Sequence, residues 1–133
     1  MNNFNNCLAK ILNVINILQN NAEKIECQDN SCTKPFLGPN NNVLCFNTRP
    51  IILYRCDNSP VSLDYTNTEG QTLSTTVFRV ESVTNDSVGV LLLEETTDEE
   101  GNITYENTNT FATINLGCVC AIRCLNDAIV ENI

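Results

Sequence analysis

Apolar positions near the start of the chain recur at helical spacing. Leu8, Ile11, Leu12, Ile15 and Leu18 fall on one stripe, Phe4 and Cys7 extend it, and Asn6, Lys10, Asn13 and Asn20 hold the opposite face. The spacing predicts an amphipathic helix over residues ~5–21, with asparagines at hand as N-caps. Two heptads are too few for a stable coiled coil, so the stripe needs a surface to cover it. That surface is either the chain's own core or a neighbouring subunit, and Leu8, Ile11, Ile15 and Leu18 would make the second kind of contact.

From Ala22 to Asn42 the pattern is polar and punctuated by Pro35, Gly38, Pro39 and Asn40-Asn41-Asn42, which reads as loops. Alternation then takes over. Val43–Asn47, Ile51–Cys56 and Val61–Tyr65 read as short strands separated by turn residues, and Thr75–Val83 and Ser87–Glu95 as longer ones. The last two are joined through Asn85-Asp86, a pair suited to the positive φ angles of a tight hairpin. Ile103–Tyr105, Thr110–Leu116 and Cys118–Leu125 complete the set. The expected fold is mainly β, a β-sandwich or barrel-like domain with one N-terminal amphipathic helix, stapled by disulfides. Residues 1–21 form the helical segment and 22–133 the cysteine-rich β part of what the length of 133 residues makes one structural domain.

Charge narrows the function. Sixteen acidic against seven basic residues, a net charge of −9, argue against nucleic acid and against an anionic membrane surface as partners. The longest apolar run, Val88–Leu93, is too short to span a bilayer. The beginning of the chain lacks a basic stretch and a small-residue cleavage site, so no signal peptide is expected. Acidic residues concentrate at Asp98-Glu99-Glu100, following Glu94 and Glu95, without the alternation of a calcium loop, and read as a solvated hairpin tip. Arg79 and Glu81 project to one face of their strand, where an exterior ion pair would be worth little.

Eight cysteines, Cys7, Cys27, Cys32, Cys45, Cys56, Cys118, Cys120 and Cys124, change the picture most. Structural zinc wants convergent ligands in close pairs such as C-x2-C, and this chain has C-x4-C, C-x-C and no histidine. Disulfides are the better reading, with a pairing that spacing leaves open. On a strand, Cys118, Cys120, Ile122 and Cys124 share a face. Cys118 and Cys120 would then stand ~6.5–7 Å apart between Cα atoms, a poor geometry for bonding to each other, so each needs another partner, with Cys27 and Cys32 as candidates. No catalytic or cofactor-binding residues emerge. A cysteine nucleophile lacks a histidine base, no C-x-x-C redox motif is present, and the five glycines are isolated, so no phosphate loop forms.

Four stretches taken in order are similar to a known family: Pro35-Phe-Leu-Gly38, Asn47-Thr-Arg-Pro50 with Ile51-Ile-Leu-Tyr54, Phe78-Arg-Val-Glu-Ser-Val83, and Cys118-Val-Cys-Ala-Ile-Arg-Cys-Leu125. Together they resemble the spore outer-coat and exosporium proteins CotY, CotZ and ExsY. The resemblance implies a structural, non-enzymatic subunit that self-assembles into a disulfide cross-linked hexagonal lattice. Its partners would be itself and other spore coat or exosporium proteins. It also implies synthesis in the mother-cell cytoplasm and deposition on the spore surface, which reconciles many cysteines with no secretion signal. Relatives carry cysteine at the positions of Val88 and Phe111, so hydrophobic packing between these two would replace a bond here. The alternative class is a secreted or surface-displayed disulfide-rich binding module.

Overall fold

Asn6 starts the N-terminal helix, α1 (Cys7–Lys24). Its side-chain oxygen accepts from Leu8 N at 2.8 Å, satisfying one of the amides that the first turn leaves without an intrahelical partner. The computed structural model describes residues 6–24 and 46–133. The expected strand at Val43–Asn47 falls partly outside that range, and its described part, Phe46 and Asn47, is not a strand; an isolated bridge joins the next residue, Thr48, to Ala128.

Among the described residues seven strands follow: β1 (Ile51–Tyr54), β2 (Leu63–Thr66), β3 (Thr72–Thr75), β4 (Phe78–Val83), β5 (Ser87–Thr97), β6 (Ile103–Asn115) and β7 (Ala121–Cys124). Five of them form an antiparallel sheet in the order β6-β5-β4-β1-β7, and β2 pairs with β3 as a separate two-stranded ribbon. The fold is mainly β with one N-terminal helix, as expected, and neither sheet closes into a barrel.

Both faces of the large sheet are covered, which explains why Val90-Leu-Leu-Leu93 of the central region is buried without alternation. One face carries Ile51, Leu53, Phe78, Val80, Val88, Val90 and Leu92. Ala9, Leu12 and Ile15 of α1 pack there, joined by Val61 and Tyr65. The other face carries Val77, Leu91 and Leu93, with Val130 from the C-terminal segment over them. That segment is pinned to residues 47–50: Asn47 N and Thr48 N donate to Ala128 O, Ala128 N to Thr48 O, and Leu125 N to Pro50 O. The Asn47 side chain adds two bonds of 2.9 Å to the backbone of Val130.

This cover corrects the reading of Arg79. The residue is only 3% exposed, and its guanidinium is bonded to Thr48 Oγ1 at 3.0 Å, Asn47 O at 3.2 Å and Glu81 at 2.7 Å. The face that looked exterior in sequence lies beneath the 47–50 segment. The hairpin joining β4 and β5 is where it was expected, but neither Asn85 nor Asp86 adopts a positive φ. The Thr84 hydroxyl accepts from Ser87 N at 3.0 Å, and Asn85 Oδ1 accepts from Asn6 N at 3.1 Å, so side chains shape the turn and dock the helix onto it. Residues 103–115 form one strand instead of two, paired with β5 on both sides of a bulge at which the register shifts between Leu91↔Phe111 and Leu93↔Asn107 and Asn109 takes φ 57. The Thr75–Val83 expectation shortens to β4, Thr75 instead ends β3, a strand not expected, and the β2–β3 turn is built by Asn67 Oδ1, which accepts from Glu69 N and Gln71 N, with Gly70 at φ 81.

Candidate functional site

Cysteine chemistry collects at one edge of the sheet. β7 is the last strand of the order and pairs through Ile51↔Cys124, Leu53↔Ile122 and Tyr54↔Ala121. Directly paired residues point to the same face, so Ile122 and Cys124 lie on the side of the helix-covered core. Just before β7, Cys120 N donates to Tyr54 O at 2.8 Å, and Cys120 is disulfide-bonded to Cys56 with Cα atoms 4.9 Å apart. The bond joins the turn after β1 to the entry of β7 across 64 residues of sequence. The turn is fixed independently by Asn58 N donating to Arg55 O and by Asp57, which accepts from Ser59 N at 3.0 Å. Bonding from Ser59 holds the Asp57 carboxyl below its ordinary range.

Cys118 and Cys120 are not joined to each other, but not for the expected reason: the strand expected over Cys118–Leu125 shortens to β7 at Ala121–Cys124, so both cysteines precede it. The partner of Cys120 is Cys56, not Cys27 or Cys32. Cys27, Cys32 and Cys45 lie outside the described residues. Pairing of β7 with β1 is what brings Cys56 to Cys120, and the signal available in sequence was the Asp57-Asn-Ser-Pro60 turn that ends β1 directly after that cysteine. Cys118 sits in a single 3-10 turn (Leu116–Cys118) whose cap, Asn115, accepts from Gly117 N at 2.8 Å. Cys7, Cys118 and Cys124 are all exposed and unbonded.

A second feature is α1 itself, which is apolar on two faces. Ala9, Leu12 and Ile15 are buried and Leu8 is half-buried, whereas Ile11, Val14, Ile17 and Leu18 are all about half exposed. Of the residues expected to make one stripe, Leu8, Leu12 and Ile15 turn inward and Ile11 and Leu18 outward; Phe4 is outside the described residues. The inward face ends in Gln19, whose Nε2 donates to Val80 O at 2.8 Å and whose Oε1 accepts from Arg49 N at 3.1 Å. Arg49 in turn makes a bidentate pair with Asp127 at 2.8 and 3.1 Å. The bond to Asp127 raises Arg49 above its ordinary value, with a smaller electrostatic contribution from Cys124, and Arg49 holds Asp127 below its own. The helix end, the 47–50 segment and the cysteine edge therefore meet in one place.

Two further concavities among the described residues are open grooves. One of about 520 Å³ runs between β6 and the C-terminal segment past Tyr105, Glu106 and Ile129, and one of about 430 Å³ lies beside Tyr65, Ser74 and Glu94. Burial raises the phenols of Tyr105 and Tyr65, and nearby Glu95 and Glu94 respectively add to it. Neither groove is lined by lysine, arginine or cysteine. Among the described residues no group of three or more Cys, Asp or Glu side chains is placed to share a metal ion, and no helix is long and apolar enough to cross a membrane. Val88 and Phe111 do not pack together: Val88 is buried opposite Ile114, whereas Phe111 pairs with Leu91 on the other face and is 65% exposed.

The sequence profile of the family described as spore coat protein Z matches residues 1–110, a span that covers α1 to most of β6 and stops short of Cys118, Cys120 and Cys124. Neither the search of curated proteins nor that of solved structures gave a match. With the match spanning well over half of the chain, from the two-faced helix through the core strands, this protein belongs to the spore coat protein Z family and is a structural protein of the spore coat.

Proposed function

We propose that the chain is a self-assembling, non-enzymatic subunit of the spore surface that forms a two-dimensional lattice and is locked afterwards by disulfides between subunits. It would be made in the mother cell and deposited on the spore, with other coat or exosporium proteins as neighbours. The observation that carries the reading is the division of labour among the described cysteines. Cys56–Cys120 serves the fold, while Cys7, Cys118 and Cys124 are exposed thiols that no contact in the fold requires. Each cross-link would join two thiols as a disulfide, releasing two electrons and two protons to dioxygen or to a small disulfide by exchange.

Electron microscopy and sedimentation of the purified chain, with and without reductant, test this. Ordered sheets, tubes or large oligomers are expected in both conditions, with no added nucleotide or metal. A chain that stays monomeric at high concentration in both would overturn the reading and favour a soluble binding module. Non-reducing peptide mapping of the assembly should find Cys118 or Cys124 in bonds between subunits. Serine at these two positions should leave assembly intact and make the product easier to dissolve in denaturant.

A further inference from the structure

The outward face of α1 carries Cys7, Ile11, Val14 and Leu18, spaced four, three and four residues apart, which is the spacing of a two-helix seam and not of a solvated face. Val14 is 55% exposed, and Ile11, Leu18 and the neighbouring Ile17 nearly as much. Past Leu18 the apolar surface continues to Phe46, 40% exposed, across a shallow hollow lined by Gln19, Thr48 and the Arg49–Asp127 ion pair. The inward face is already committed to the core through Ala9, Leu12 and Ile15, so nothing inside the described fold uses this second stripe.

Charge identifies the occupant. All sixteen acidic residues lie at Glu23 or later, and Lys10 is the one charged residue among the first twenty-two. In a chain of net charge −9, two copies repel wherever acidic surfaces approach. The α1 face from Cys7 to Leu18 carries no carboxylate, and Asp127, which borders it beyond Leu18, is paired with Arg49, so two copies can bring this apolar surface together without opposing unpaired carboxylates. The geometry points to a second copy of this chain, docked through the same face with the two helices antiparallel. The macrodipoles then run head to tail, and the seam is self-complementary about its centre: Ile11 meets Val14 of the other copy, and Cys7 meets Leu18. This pairing rests on the assembly reading and names one of its contacts. A seam of four residues falls short of the roughly 1,200–2,000 Å² of a stable isolated dimer, so the contact is weak and reversible until a lattice multiplies it.

The test uses the full chain under reducing conditions. Ile11→Asp with Val14→Asp places four carboxylates in the seam and should weaken self-association by about a hundredfold or more, with thermal unfolding of the monomer unchanged. A variant that associates like the parent overturns the proposal while leaving assembly through other surfaces standing. A variant whose monomer unfolds as easily as one altered in the core shows that the face is covered within its own chain, and also overturns it. A parent chain that never associates removes both readings. Orientation is read separately from Leu18→Cys, oxidised with copper–phenanthroline and mapped. A peptide joining Cys7 to the new thiol at position 18 is expected, and Cys7 joined to Cys7 instead would reject the antiparallel seam.

Discussion

Gln19 does at the scale of one residue what the fold requires between three elements. It is 3% exposed on a helix otherwise buried through apolar groups, and its amide bonds at once to β4 and to residue 49. Truncation takes the Gln19 amide away from the buried Val80 carbonyl and the half-buried Arg49 N–H, a desolvation cost that hydrophobic packing cannot offset. Gln19→Ala should therefore destabilise by ~1–3 kcal/mol in urea unfolding, while Asn20→Ala, one residue on and exposed, stays within ~0.5 kcal/mol. Equal losses would show that the amide does not fix the helix. Asp127 makes a smaller contribution with a definite sign. Its carboxyl is held low by Arg49, so its stabilisation is present above the unfolded carboxylate value and is lost as pH falls through the lowered folded one. The pair is more than one-third exposed, and solvent screening limits it to roughly 0–1 kcal/mol. The stability difference between the parent and Asp127→Asn should be measurable at neutral pH and vanish well below pH ~4. A difference that persists in acid would place its origin elsewhere.

Among elements, the short β7 depends most on a covalent tie. It has four residues, three of them exposed, and borders a single neighbour, so its apolar burial is slight. The bond from Cys56 to Cys120 closes a long loop and should supply ~2–4 kcal/mol by restricting the unfolded chain. Serine at both positions is expected to lower stability by that amount, whereas serine at Cys118 or Cys124 leaves it within ~0.5 kcal/mol, as chemical denaturation of the reduced and oxidised forms would show. A stability unchanged by removing the Cys56–Cys120 pair would mean that pairing with β1 alone holds β7. The sequence made the helix, the β4–β5 hairpin and β5 legible because their patterns repeat over several turns or residues. It hid β3, whose Thr-Leu-Ser-Thr lacks an apolar face, and it joined the two outward and inward helix stripes into one, because apolar residues that lie 100° apart look continuous in a list. The partner of Cys120 was hidden for another reason: it follows from which strands become neighbours, a property of topology that cysteine spacing does not carry.

For the whole molecule, the governing fact is the uneven placement of charge. Acidic residues crowd the strands and turns, with Asp98 to Glu100 exposed at the β5–β6 tip, while the start of the chain through Ala22 has none. Subunits approaching at low ionic strength therefore feel the repulsion of nine net charges each before any apolar contact forms. The range of that repulsion is ~30 Å at 0.01 M salt and ~8 Å at 0.15 M, so screening should remove most of the barrier while leaving an apolar seam intact. Self-association of the reduced chain is expected to strengthen as salt rises over this interval, and light scattering at fixed protein concentration would follow it. Association that weakens with salt would mean instead that the subunits are held by ion pairs across their interface. In that case the acidic strands, and not the helix, would be the surface that meets its neighbour.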